Sequence, residues 1–194
     1  MGRSSLIGAI GLGVAGLAVA GALLLWPQGD GSDGTAAFTA PGLDPMTVET
    51  ARANFFDLTP ALLLVVYEAF ARTDEDEIYD TLARVTDGEA LEYLYLERVG
   101  AMAGGGLDEA DQTIHEIKLL NAQVRNEARA LAVDASWQVI GTVGHAEHLH
   151  VRGNTYSADL TIAPVADAWK ITGFTLRDVN RDAAGETFLA PQTN

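Results

Sequence analysis

The sequence predicts an α+β protein in which an N-terminal transmembrane helix precedes helices packed on a curved antiparallel sheet. Three observations predict this fold class. Residues 5–26 form one uninterrupted apolar run, residues 44–103 place apolar side chains at helical spacing, and residues 131–176 alternate apolar and polar side chains with a period of two. Because strands with one apolar face need a cover, we expect the preceding helices to supply it.

The apolar run reads SLIGAIGLGVAGLAVAGALLLW and is long enough to cross a bilayer. With a rise of about 1.5 Å per residue, a helix of this length extends about 33 Å, and the hydrocarbon core of a bilayer is roughly 30 Å thick. Arg3 is the only charged residue before the run, and Trp26 at its end suits the membrane interface. The positive-inside rule therefore predicts an inner (cytoplasmic) membrane protein with its N-terminus inside and its domain in the periplasm. The alternative is a signal peptide cleaved after Ala18–Ala20, but apolar residues continue to Leu25.

These features divide the chain into five predicted segments. The segment after the anchor is rich in glycine, serine, threonine and aspartate, a composition typical of a flexible linker. The predicted segments are a cytoplasmic tip (1–4), a transmembrane anchor (5–27), a flexible linker (28–42), an extracytoplasmic α+β domain (43–182) and a C-terminal tail (183–194).

The charge and cysteine content exclude several classes of function. The part of the chain after Pro27 holds 11 of the 12 basic residues and all 27 acidic ones, a net charge of −16. This charge disfavours nucleic acid and anionic lipid headgroups as partners. The chain has no cysteine, which excludes disulfides, thiolate metal sites and cysteine nucleophiles.

Four helices are predicted from their N-terminal signals. An Asp-Pro pair at 44–45 is an N-cap followed by a first-turn proline and predicts a helix to about residue 58, and a Thr-Pro pair at 59–60 repeats the pattern. Residues 74–77, with aspartate and glutamate three positions apart, form a capping box before the third helix. Residues 89–103 form the fourth helix, which ends at three consecutive glycines.

Strands are predicted after the helices. The first covers about 113–124, and period-two segments follow at 130–143, 154–163 and 168–179, with a phase slip at Gly173 that indicates a bulge. The residues predicted to face the core are Leu131, Val133, Ala135, Trp137, Val139 and Val143 on one strand and Tyr156, Ala158, Leu160 and Ile162 on the next.

Helices followed by long antiparallel strands bent at a bulge resemble the nuclear-transport-factor-two-like cone. That superfamily includes ketosteroid isomerases, SnoaL-type polyketide cyclases and the inner-membrane scaffold subunit of type IV secretion systems. Three stretches, IYDTLARVTDGEALEYLYLE (78–97), WQVIGTVGHAEHLHVRGNTYSADLTIAP (137–164) and AWKITGFTL (168–176), look like an extracytoplasmic domain found with hydrogenase/urease-accessory nickel-permease-type membrane proteins. In that group an aromatic residue is expected after the first histidine, where this chain has Ala146. The resemblance implies a membrane-transport or metal-handling setting and no defined reaction.

The candidate metal site is a cluster of three of the four histidines, His145, His148 and His150. Neutral imidazoles suit copper, nickel or zinc, and Glu147 offers an oxygen ligand. On a regular strand His148 and His150 face one side and His145 the other, so all three converge only across a bulge or hairpin. The alternative interpretation is a group of solvated side chains at a strand end.

An enzyme is the second functional hypothesis, because cone-shaped relatives use a carboxylate base with a tyrosine that donates to an oxyanion. Asp134 and Asp159 lie on the polar strand faces, whereas His145 is phased toward the core. No catalytic residue or bound cofactor is predicted from these positions. The tyrosines considered as cavity-lining residues are Tyr67, Tyr79, Tyr93, Tyr95 and Tyr156.

The sequence therefore predicts a non-catalytic, membrane-anchored accessory, scaffold or assembly subunit of an inner-membrane complex, with metal handling as a possible role. Small residues four apart in the anchor, such as Ala9 and Gly13, permit close helix contact in lipid and favour a multi-pass membrane protein as partner. The alternative function is a small-ligand-binding or isomerase- or cyclase-like protein that uses the cone pocket.

Overall fold

In the computed structural model of the chain, the described residues are 36–103, 113–145 and 148–189. The predicted tip, the predicted anchor and the first part of the predicted linker lie outside them. The elements, in chain order, are β1 (Phe38–Ala40), β2 (Leu43–Met46), α1 (Val48–Ala53), α2 (Phe55–Phe70), α3 (Glu75–Ala83), α4 (Gly88–Ala103), β3 (Thr113–Glu127), β4 (Ala130–His145), β5 (His148–Val165) and β6 (Ala168–Leu189).

The strands form one six-stranded sheet in the order β2-β1-β6-β5-β4-β3. Strands β3 to β6 pair antiparallel with their neighbours, whereas β1 pairs parallel with β6, where Thr39 lies opposite Ala168. The Thr39 backbone N–H donates to the Asp167 carbonyl over 2.8 Å. β1 and β2 form a short hairpin in which Gly42 has φ +69°, a left-handed conformation that favours glycine. The sheet is thus mixed, and it curls into a half-barrel.

The fold class predicted from the sequence is wrong. The sheet is mixed and curled, not an antiparallel cone, and about half of the described residues are in strands. Residues 38–46, assigned from sequence to the linker and the start of a helix, form β1 and β2. These strands of three and four residues are too short to show a period of two, and Pro45 is tolerated because β2 lies at the sheet edge.

None of the helices in the described ranges is long and apolar enough to cross a membrane. The predicted anchor, residues 5–27, lies outside these ranges.

The first two helices begin at other residues than predicted. α1 begins at Val48, and the Thr47 hydroxyl caps it by accepting from the Thr50 N–H at 3.1 Å. α2 begins at Phe55, so Pro60 lies inside this helix and not in its first turn. Burial outweighs the backbone cost of the proline, because α2 contributes a nearly continuous apolar face to the core.

The third and fourth helices confirm their predicted signals. The Asp74 carboxylate accepts a hydrogen bond from the Glu77 N–H at 3.0 Å, as a capping box requires. α4 spans Gly88–Ala103, within one residue of the prediction. α3 packs against both α2 and α4, while α2 packs on β3 and α4 on β6. The helices therefore cover one face of the sheet, with α2 over β3 near one edge and α4 over β6 toward the other.

The core confirms the period-two pattern of β4 and β5. Alternate residues from Leu131 to Val139 are buried, as are Ala158, Leu160 and Ile162. The predicted bulge is present one residue from Gly173, where Thr161 pairs with Gly173 but Ile162 pairs with Ile171. A Cβ at Gly173 would lie 3.0 Å from the Thr161 hydroxyl oxygen, so a larger residue here requires the Thr161 side chain to shift by a few tenths of an ångström.

Candidate functional site

The predicted metal ligands lie on the two arms of one hairpin. β4 ends at His145 and β5 begins at His148, and the backbone register places these two residues opposite each other. His150 lies opposite Val143. Glu147 and the side chains of residues 143–152 lie outside what the structure describes, so the metal site stays a prediction. Among the side chains that are described, no group of three metal-binding residues comes together.

The two carboxylates considered as a catalytic base are paired on the exposed face of the sheet. Asp134 and Asp159 lie directly opposite each other on β4 and β5. Arg177 bonds to both, with its Nε 3.4 Å from the Asp159 carboxylate. It occupies the extra position of a bulge in β6, because Ser157 pairs with Asp178 and Ala158 with Leu176. The arginine offsets the repulsion between two like charges, which is a structural role.

A cluster of aromatic side chains occupies the helix-covered face. Trp137 and Tyr156, which are register partners, stack with ring centroids 5.8 Å apart. The Tyr67 ring on α2 lies 6.0 Å from the Tyr156 ring, and the Trp137 indole N–H donates to the Tyr67 hydroxyl at 3.1 Å. Burial raises the pKa of the Tyr67 hydroxyl far above its ordinary value, and Tyr156 adds to the effect. This hydroxyl is therefore neutral at physiological pH.

The cluster continues across the sheet to α4. Phe174 on β6 meets Trp137 edge-on at 6.4 Å, and Tyr93 on α4 stacks on Phe174 at 5.8 Å. Tyr79 and Tyr95 form a separate edge-on pair between α3 and α4. Three of the five tyrosines considered from the sequence thus join one aromatic cluster, and the other two do not.

The sequence reasoning missed Arg98, a buried cation on α4. Arg98 is 6% exposed and shares its helix face with Ala90 and Leu94, which are also buried. Its guanidinium donates to the Arg72 carbonyl in the turn between α2 and α3. Burial lowers the pKa of Arg98. Its position four residues after Leu94, on the apolar stripe, is a sequence pattern that identifies it.

The sheet ends at β3, a 15-residue edge strand. In the described ranges β3 pairs with β4 on one side only. Its inward-facing residues, such as Ile117 and Val124, are only half-buried, and Leu120 at a register shift is 50% exposed. On α2, the helix that packs on β3, Phe56 and Leu64 are also exposed. We call β3 and these two side chains the edge surface.

Comparison with known proteins supplies no family. No family model matches the chain, and no curated protein matches it. Among solved structures, a de novo β-sheet design determined by solution NMR matches with a TM-score of 0.32 and 14% identity, over 68% of this chain and 92% of that chain. A similarity of this size carries no argument about fold or function.

Proposed function

We propose that the chain is a non-catalytic accessory subunit of an inner-membrane complex and that its edge surface binds a multi-pass membrane protein on the periplasmic side. One observation carries the proposal, which is the length of the side of β3 that no described strand pairs with. A strand with one free side presents a row of backbone donors and acceptors, and partner strands add to such edges. Among the strands that the structure describes, an edge strand of 15 residues is long for a globular sheet.

The side chains along the edge support the same conclusion. Leu120, Phe56 and Leu64 are large apolar residues exposed on β3 and on the helix beside it. A group of exposed apolar side chains on neighbouring elements is typical of protein interaction sites. Lys118 on β3 is also exposed and disfavours self-association of the edges. The occupant we propose is therefore a different protein.

The non-catalytic part of the proposal rests on how the ionisable groups are used. Asp134 and Asp159 both form ion pairs with Arg177 on the exposed face of the sheet. The Tyr67 hydroxyl accepts from Trp137 inside the aromatic cluster. These groups take part in contacts that stabilise the fold, which disfavours them as the acid and base of the isomerase- or cyclase-like alternative.

Membrane association rests on the sequence. The apolar residues 5–26 follow Arg3 and precede a strongly acidic chain, a charge arrangement that supports a domain on the periplasmic side. Protease added to spheroplasts should degrade the domain, and sodium carbonate should leave the full chain in the membrane fraction. A domain that resists protease until the membrane is lysed contradicts the proposed location.

The edge surface is tested by a matched pair of leucine variants. Leu120 on β3 is 50% exposed and Leu96 on α4 is 58% exposed, so an aspartate at either position leaves the core unchanged. The tagged full chain is purified from membranes in mild detergent, and co-purifying proteins are identified by mass spectrometry. We expect Leu120→Asp to lose a multi-pass protein that the wild type and Leu96→Asp both retain. Equal recovery with all three chains refutes the edge surface as the binding site.

A further inference from the structure

Apolar side chains lie on two opposite faces of α4. On one face, Ala90 and Leu94 are buried in the core. On the other face, Leu96 is 58% exposed and Tyr93 is 39% exposed. A helix that is apolar on all sides is typically covered on all sides. The exposed face of α4 is therefore a surface on which another molecule can pack.

The exposed residues of α4 follow the spacing of a coiled-coil seam. Four of them are separated by three, four and three positions, and they are Tyr93, Leu96, Gly100 and Ala103. This alternation of three and four is the spacing of a and d positions, which lie along one line on the surface of a helix. Open space surrounds the position that a Cβ at Gly100 would take, and small side chains let a second helix approach closely. The seam therefore suits an α-helix as its partner.

Carboxylates flank this seam on both sides. Glu92 and Glu97 are exposed at the g and e positions, which lie beside the a and d residues, and Glu89 lies one turn before the seam. None of the three has a lysine or arginine three or four positions away along α4, and Arg98, the one basic residue of this helix, is buried. Their mutual repulsion is therefore not relieved within the helix, and a positively charged partner would relieve it.

The beginning of α3 extends the acidic surface beside α4. The Tyr95 hydroxyl donates to the Glu75 carboxylate at 3.4 Å, which places the acidic first turn of α3 next to α4. Tyr79, which is 46% exposed, meets the Tyr95 ring edge-on with centroids 5.6 Å apart. Aromatic rings beside carboxylates attract lysine and arginine side chains. This side of the seam therefore also favours a cationic partner.

We propose that the exposed face of α4 binds a cationic amphipathic helix of another protein. The apolar stripe of that helix packs on Tyr93 and Leu96, and its lysine or arginine side chains lie against Glu92 and Glu97. Charge complementarity selects this occupant, because charges at e and g positions determine which helices pair. A second copy of α4 would place glutamates against glutamates, which disfavours self-association. This inference goes beyond the proposed function, and the α4 seam is separate from the edge surface.

The test titrates fluorescently labelled synthetic peptides with the full chain in nonionic detergent. The first peptide has leucine at its a and d positions and lysine at e and g, the second has glutamate in place of the lysines, and the third is a scrambled form of the first. We expect fluorescence anisotropy, corrected for binding to empty micelles, to show saturable binding of the lysine peptide alone. High salt should weaken this binding by about tenfold, since it screens exposed charges. No binding of the lysine peptide, or equal binding of the glutamate or scrambled peptide, overturns the proposal.

Substitutions at exposed positions locate the binding surface. Leu96→Asp removes the central apolar contact, so we expect it to weaken binding of the lysine peptide by about tenfold or more. Leu120→Asp, in the edge surface, is the matched control and should bind this peptide as the wild type does. The two leucine variants thus have opposite effects on the two partners, and either proposal can fail without the other. The double variant Glu92→Lys/Glu97→Lys should prefer the glutamate peptide, and an unchanged preference for the lysine peptide overturns the proposal.

Discussion

The indole nitrogen of Trp137 donates a hydrogen bond to the Tyr67 hydroxyl over 3.1 Å, and this bond joins β4 to α2 inside the core. Trp137 is only 1% exposed, so its N–H has no access to bulk water. A buried donor needs a partner, and Tyr67 supplies it. The bond explains how a polar indole group is accommodated at the centre of an otherwise apolar strand.

Replacing Tyr67 by phenylalanine should destabilise the fold. The substitution keeps the ring but leaves the Trp137 N–H unpaired, which costs about 1–3 kcal/mol. Urea unfolding of the full chain in detergent, followed by tryptophan fluorescence, measures the loss. Tyr79→Phe is the control, because the Tyr79 side chain is 46% exposed. Equal losses in the two variants would show that the buried bond contributes nothing specific.

The same hydroxyl should make stability depend on alkaline pH. The pKa of Tyr67 is raised in the folded state, so the folded protein holds this proton above about pH 10, where the unfolded chain releases it. The stabilisation is fully present below that pH and is lost as pH rises, by about 1.4 kcal/mol per pH unit. Unfolding free energies measured between pH 9 and pH 11 should fall more steeply for the wild type than for Tyr67→Phe. Parallel curves would contradict this prediction.

Removing Arg177 should weaken the sheet by a small, salt-dependent amount. Without it, Asp134 and Asp159 face each other as like charges. All three side chains are partly exposed, so the effect of Arg177→Gln should be smaller than that of Tyr67→Phe and should shrink as salt is added. In an Asp134→Asn background the effect should shrink further, since the repulsion is gone. A loss that is independent of salt would point to packing instead.

The histidine cluster should bind copper(II) or nickel(II). The hairpin register brings the backbones of His145 and His148 opposite each other, which supports a shared site. Calorimetry on the full chain should show near-stoichiometric uptake that His148→Ala/His150→Ala abolishes. His115→Ala is the control, because that imidazole on β3 bonds to the Thr142 hydroxyl at 3.0 Å. Equal uptake by the wild type and the double variant excludes the site.

The elements that are long and regular were predictable from the sequence. The alternation of apolar and polar residues around Trp137 predicted a strand, and the capping box at Asp74 predicted a helix start. Both signals depend only on residues close in sequence, and both predictions are confirmed. β1 was not predictable, because its pairing with Ala168 joins residues 129 positions apart and leaves no periodic pattern in three residues. The start of α2 was predicted wrongly for a similar reason. Proline usually lies in the first turn of a helix, but burial places Pro60 further inside α2.

The candidate sites were less predictable than the elements. From the sequence, Arg98 resembles an ordinary surface arginine. Its burial becomes evident only when two facts are combined: it shares a helix face with Leu94, and that face packs against the α2–α3 turn. The position of β3 at the edge of the described sheet follows from the order of the strands, and period-two alternation does not predict that order. The pairing of Asp134 and Asp159 likewise needed the register of β4 on β5. Each of these sites is formed by segments that are distant in the sequence, so local sequence patterns do not predict it.

The parallel junction of β1 with β6 also determines how the domain responds to mechanical force. In the described chain β1 meets β6 at the single register pair of Thr39 and Ala168, whereas β4 and β5 are paired along their whole length. A pull on the polypeptide before residue 36 loads that short junction first. We expect the hairpin of β1 and β2 to detach before the four long strands separate, with its buried Phe38 and Met46 side chains as the main resistance.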